Sequence, residues 1–261
     1  MRKSGCGVVV LAGGSGEIDG QPKTLLKIDN LSMLQRLVVT LQTLSWPIAV
    51  VINGTDAIRD RLQEDLHGIP NLHFVLQPWR LGTADAFSRG ASLLLELGYP
   101  EAVTVHADHP AWSQDTIHRL AAAHKQNRSV MTVGVVRSHK LPDPWPLCFQ
   151  NFGRIYRKDG RIVNIVEARH VKDGLPPSEH FELNTALYCL NLDWALTAMW
   201  RLTPKQNGNS PGPPEFYLPE LLLVAADSDN VVHLEPVPWW EALAVNTKEE
   251  LQQLTERGEW L

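Results

Sequence analysis

Apolar residues recur along the first half of the chain in two alternating rhythms. Gly7-Val8-Val9-Val10-Leu11 is a short, β-branched run that ends at glycines, as a strand buried on both faces would. Ser32 to Leu44 then places Leu34, Leu37, Val38, Leu41 and Leu44 on one helical face, and Ser32 and Gln35 have the spacing of a capping box. The alternation returns as IAVVIN (48–53) and DAIRDRLQEDL (56–66), then LHFVLQ (72–77) and TADAFSRGASLLLEL (83–97). It continues as EAVTVHAD (101–108) and SQDTIHRLAAAHKQ (113–126), and closes with SVMTVGVV (129–136). This rhythm predicts an α/β fold: a mostly parallel, Rossmann-like sheet between two helical layers. Ligands on such sheets sit beyond the carboxyl ends of the strands. The glycine-rich stretch after the first strand and His106-Ala107-Asp108-His109-Pro110 after a later one both fall at that edge.

The second half is patterned differently. GRIYRKDGRIVNIVEAR (153–169) is two strand-like runs around Lys158-Asp159-Gly160, which predicts an added β-hairpin. FELNTALYCLN (181–191) is a further strand, followed by an apolar helix around Trp194 to Leu202. Lys205 to Glu215 is a turn-rich loop, and a helix is expected to begin near Pro219. VVHLEPV (231–237) is a late strand. Thr247 and Glu250 have capping-box spacing, which sets Asn246 just ahead of a terminal helix. No interdomain linker is evident. The expectation is one domain over 1–261, with a first part over 1–136 and a second over 137–261.

Composition narrows the classes. With 261 residues, 44% hydrophobic and 20% charged, the chain can build a globular core. Its formal charge of -5 and pI near 6.1 argue against a long basic groove, so nucleic acid is not an expected partner. Cys6, Cys148 and Cys189 are far apart and make no metal or redox spacing, so they read as reduced thiols in a cytoplasm. The apolar run Val8 to Ala12 is too short for a signal-peptide core, and no membrane segment is expected.

LAGGSGEIDGQPKTLL, Leu11 to Leu26, carries the first candidate chemistry. Glycines let a ligand approach backbone N–H groups closely, and a lysine just beyond suggests an anion. The stretch is not a P-loop, because Pro22 stands where the glycine before Lys23 should be. Nor is it a dinucleotide fingerprint, since the third glycine position falls on Asp19. By itself it reads rather as a tight strand-to-helix turn with a surface lysine.

The motifs in order are LAGGSG…PKTLL, LQPWRLGTADA, HADHP, FGRIYRKDGRIVNIVEA, ELNTALY, EFYLPEL and AVNTKEEL. This series resembles the sugar-1-phosphate nucleotidyltransferase family. It is most similar to the uridylyltransferase domain of the bifunctional enzyme that makes UDP-N-acetylglucosamine, over Val8 to about Leu254. The acetyltransferase activity of that enzyme is not expected in these 261 residues. The resemblance implies transfer of a uridylyl group from UTP to a sugar 1-phosphate, N-acetylglucosamine 1-phosphate, with pyrophosphate leaving. Lys23 and the amides around Gly14 and Gly16 would meet the triphosphate. Leu11, Ala12, Gly13, Gln77, Gly82 and Thr83 would bind the nucleotide. Gly153, Glu167 and Asn184 would bind the sugar. Asp108 and Asn246 would hold Mg2+, an ion that keeps water and phosphate oxygens as its other ligands.

Simpler roles exist for some of these residues. Asp108 would cap the following helix, Asn246 would be a turn residue, and Glu167 a solvated hairpin residue. His106 and His109 flank Asp108 but are not read as a metal pair, because alternate strand-end positions face opposite ways. The tryptophans are read as packing residues.

Three departures from the family pattern bear on activity. The loop lacks the family's arginine and carries Glu17 and Asp19; Arg2, Lys3 and Arg80 are the available replacements. GTADA replaces GTGHA, so Ala84 and Asp85 stand for a glycine and a histidine. His106 replaces a common tyrosine. Slow turnover is therefore expected. Another sugar or base, or a binding protein with weakened catalysis, remains as the alternative function.

Overall fold

A computed structural model of the chain describes residues 3, 5–158, 161–166, 181–206, 212–228 and 230–256. The first strand, β1 (Cys6–Leu11), is buried along its whole length. Two small hairpins follow it: β2 (Glu17–Ile18) with β3 (Gln21–Pro22), and β4 (Lys27–Ile28) with β5 (Leu31–Ser32). A single 3₁₀ turn, Lys23–Leu25, joins them. Asp19 and Gly20 make the first hairpin's turn with φ of 54° and 74°, the paired left-handed geometry that a two-residue hairpin favours. The expected direct turn from strand to helix is thus corrected to a pair of hairpins.

The alternating series comes next. It runs α1 (Met33–Gln42), β6 (Ile48–Ile52), α2 (Asp56–Asp65), β7 (Leu72–Leu76), α3 (Thr83–Glu96) and β8 (Glu101–His106). Then come α4 (Gln114–Asn127), β9 (Met131–Arg137), β10 (Arg154–Lys158), β11 (Arg161–Val166) and β12 (Glu182–Asn191). The last elements are α5 (Leu192–Ala198), α6 (Leu221–Asp227), β13 (Val232–Pro236) and α7 (Lys248–Glu256).

Among the described residues nine strands form the main sheet. β7, β6, β1 and β8 lie side by side and parallel, with Val8 opposite both Ile48 and Val103. β12 runs against β8, β9 and β10, and β11 against β10, so these two strands alone oppose the others. The sheet is therefore mostly parallel, as the sequence rhythm predicts. Alternate residues of β1 enter opposite cores: Val8 and Val10 join Leu34, Leu37 and Ile117, while Val9 and Leu11 join Phe87, Leu94 and Leu221. Helices α1 and α4 thus cover one face, and α3, α5 and α6 the other.

A local signal accounts for the start of α1. The Ser32 side chain accepts from Gln35 N while Gln35 Oε1 accepts from Ser32 N, a complete capping box. The three cysteines are buried and unbridged. Among the described residues no helix is long and apolar enough to cross a membrane. Two tryptophans correct the packing expectation: Trp200 is 91% and Trp79 67% exposed.

Candidate active site

The loop after β1, the start of α3 and the end of β8 surround a cleft of about 240 Å³. Leu11, Ala12, Gly13, Gly14, Gly16, Lys23, Gln77, Gly82, Thr83 and Asp108 all line it. Lys23 is not a surface residue. Its side chain is 16% exposed, and its ammonium donates to Asp108 Oδ2 at 2.8 Å and to Asn246 Oδ1 at 2.6 Å. Gly16 lets it pass: a Cβ there would lie 2.4 Å from Lys23 Cε. The lysine read as a phosphate contact thus meets both residues read as metal ligands.

Each of those partners is fixed by its own element. Asp108 follows β8, and its carbonyl accepts from Val245 N at 2.9 Å, which binds the β8 end to the segment before α7. Asn246 is held by that helix's cap: Glu250 Oε2 accepts from Asn246 N at 2.5 Å and from Thr247 N at 3.2 Å. Asp108 does not cap α4, because Ser113 Oγ takes that role by accepting from Thr116 N.

Electrostatics favour the charged pair. Burial would raise the Asp108 carboxyl, but the Lys23 ammonium, with His109 and His106 nearby, outweighs it and holds the group well below the usual carboxylate range. His109 is pushed down to about 4 by burial, against the pull of Asp108. Its ring lies parallel to Trp112 at 6.2 Å and near Phe152 at 5.7 Å. The His106 and His109 ring centroids are 6.1 Å apart, so they do not face opposite ways as expected; β8 ends at His106 and the chain turns before His109. Among the described residues, no group of three or more His, Cys, Asp or Glu gathers to hold a metal.

The nucleotide-side residues form a second network. Gln77 is 4% exposed; its Nε2 donates to Gly82 O at 3.0 Å and Asp85 Oδ2 at 2.9 Å. Arg89 grips the same carboxylate, Nε to Oδ2 at 3.0 Å and Nη2 to Oδ1 at 3.2 Å. Gly82 has φ 96° and ψ 179°, and a Cβ there would lie 2.3 Å from Phe216 O. The Thr83 hydroxyl accepts from Leu218 N at 2.9 Å, which ties the segment after Glu215 to the start of α3.

Other expectations separate here. Gly153 and Asn184 meet each other, Asn184 N donating to Gly153 O at 2.8 Å, but neither lines the cleft. The Asn184 side chain is buried and shares hydrogen bonds with the Tyr188 hydroxyl and Ala186 N. Glu167 lies outside the described residues, as do Arg2 and the Asp159-Gly160 turn. Lys3 sits beyond the amino ends of β1 and β8, its N donating to Gly98 O, so it does not reach the loop. Arg80 does: it lines the cleft beside Gly14 and Ser15, with no hydrogen bond or ion pair to another described residue. Asp19 turns away to pair with Lys248. Ser15 and His106 line the cleft as well; Thr24 and Glu215 also do so and escaped the sequence reading, because only the folded loops bring them there.

Comparison with known proteins agrees with this architecture. Residues 8–209 match the family model described as the MobA-like NTP transferase domain. The chain is 31% identical over 255 residues to "Bifunctional protein GlmU" of Burkholderia multivorans, covering 95% of this chain and 51% of that one. It is 32% identical over 252 residues to the protein of the same name from Cupriavidus metallidurans, covering 95% and 50%. The chain thus spans about half the length of these curated relatives. Among solved structures, CMP:2-keto-3-deoxy-manno-octonic acid synthetase complexed with CTP superposes with a TM-score of 0.65 at 11% identity, covering 98% of both chains. That likeness concerns the fold.

Proposed function

This chain belongs to the family of MobA-like NTP transferase domains, and we propose that it transfers a uridylyl group from UTP to a sugar 1-phosphate, with N-acetylglucosamine 1-phosphate as acceptor. One observation supports this above the rest. A lysine ammonium donates to a carboxylate at 2.8 Å and to an amide oxygen at 2.6 Å beside a glycine loop at the carboxyl edge of the sheet.

The chemistry asks mainly for charge and position. A sugar-phosphate oxygen bonds to the α-phosphorus, the bridge to the β-phosphate breaks, and the electron pair leaves on pyrophosphate. The nucleophile arrives as an anion, so no side chain need take its proton. Lys23 and the amides of Gly13 to Gly16 would meet the phosphates, with Arg80 as a further cation. Gln77, Gly82 and Thr83 would hold the nucleoside. Gly153 and Asn184, joined through the backbone, and Glu167, the residue after β11, are proposed for the acceptor.

Magnesium fits the donor set. Asp108 Oδ2 and Asn246 Oδ1 are hard oxygens that already gather around one cation, the Lys23 ammonium, and magnesium needs few protein ligands beside phosphate and water. Bound there, the ion would supply neutralisation of phosphate charge.

The test is pyrophosphate release across a panel of nucleoside triphosphates and sugar 1-phosphates. Release is expected with UTP and N-acetylglucosamine 1-phosphate, and its loss in Asp108→Ala. Release with a different pair would reassign the substrates. Tight nucleotide binding with no release from any pair would make the protein a binding module.

A further inference from the structure

Gln77 is a buried amide with one end committed. Both Nε2 protons have acceptors, the Gly82 carbonyl and the Asp85 carboxylate. A half-turn of the amide would put Oε1 against those same two acceptors with no proton between them. Arg89 holds the carboxylate in place through two hydrogen bonds. The other end, Oε1, lies toward the glycine loop, 3.1 Å from where a Cβ on Gly13 would be.

We propose that Asp85, held by Arg89, is a positioning residue that fixes Gln77 as a hydrogen-bond acceptor only, so that the cleft distinguishes uracil from cytosine. The proposal rests on the nucleotide reading above and sharpens it. An amide free to turn can meet either base, since it offers a donor or an acceptor. A locked amide cannot. Uracil carries a donor at ring position 3 and an acceptor at position 4; cytosine carries the reverse. An acceptor opposite position 3 selects uracil, and one opposite position 4 selects cytosine. Either way the losing base sets two acceptors against each other, with no water to separate them at a buried side chain. Leaving one buried polar group unpaired costs roughly fivefold to 150-fold in affinity.

The test is calorimetry with UTP and CTP on the wild-type protein, Asp85→Asn and Asp85→Ala. In Asp85→Asn, Arg89 takes the single remaining oxygen and leaves an N–H facing Gln77, which releases the amide to turn. In Asp85→Ala one of the two locks is gone. The wild type is expected to separate the two nucleotides by at least about fivefold. In the variants the ratio should fall toward unity, chiefly because the disfavoured nucleotide gains. Position 85 is on the first turn of α3 and partly exposed, so at least one variant is expected to fold. Equal binding of UTP and CTP by the wild type would overturn the proposal. So would an equal loss of both nucleotides in the variants, which is the mark of a merely structural carboxylate. Failure of the wild type to bind either triphosphate is a different result: it would overturn the nucleotidyl-transfer reading itself.

Discussion

Lys23 holds together two residues far away in the chain, and its charge is the common factor in what each can do. While its ammonium lies between Asp108 Oδ2 and Asn246 Oδ1, a second cation cannot occupy that point. Lys23→Met should therefore act in opposite directions on two measurements. Turnover should fall by about 10²–10³, the usual result of removing a preorganised charge-stabilising group. Affinity for free Mn2+, read by electron paramagnetic resonance, should rise because the competing ammonium is gone. A lysine that only supports the scaffold would lower both. Arg80 is the candidate replacement for the missing loop arginine. It lines the cleft beside Gly14 and Ser15, and neighbouring acids do not neutralise it. Arg80→Ala should lower kcat by about 10²–10³ with little change in stability. An unchanged rate would leave the loop without a replacement cation and return the expectation of slow turnover.

At the scale of elements, whatever a few adjacent residues decide was legible in the sequence. The capping boxes at Ser32 and Thr247 formed as their spacing predicts, and the βα alternation gave the parallel part of the sheet. Long-range outcomes were not legible. Nothing near Lys23 in sequence shows that its partners stand 85 and 223 residues away. The two histidines lie near each other, against the alternation of a strand, because that alternation stops applying once β8 ends. Gly82 illustrates both kinds of information. The Gly-Thr pair was legible as a candidate site, but its conformational need appears only in the fold. With φ 96° and ψ 179° it occupies a region almost closed to other residues, and a Cβ would strike the Phe216 carbonyl. Gly82→Ala should cost on the order of 1–3 kcal/mol from the backbone alone. It should also loosen the Glu215–Leu218 segment, which limited proteolysis would detect. Gly14→Ala is the control: beyond its chain neighbours nothing lies within 4 Å of its Cβ position, so its unfolding midpoint in urea should stay near that of the parent.

For the whole molecule, buried histidines set how stability varies with pH. His124, on α4, is 1% exposed; its Nδ1 meets Thr132 Oγ1 at 3.0 Å, and its Nε2 is buried with no partner among the described residues. Burial pushes this imidazole down from 6.5 to about 4. Between those values the unfolded chain binds a proton that the folded chain refuses, so stability must fall as pH is lowered through that window. From pH 6.5 to 5 the loss from this one residue is on the order of 2 kcal/mol. His109 is also pushed down to about 4 and adds to the same slope. The Asp108 carboxyl contributes in a different range: its folded value lies below the ordinary 3.8, so the stability it supplies is present above that value and is lost only in stronger acid. The two effects can therefore be measured apart. Urea unfolding at pH 7.5 and pH 5 should show His124→Asn losing less stability than the parent by about 2 kcal/mol, because asparagine meets Thr132 without a group to protonate. Equal losses in the two proteins would mean that His124 accepts its proton inside the fold, through a rearrangement between α4 and β9 that lets water reach Nε2.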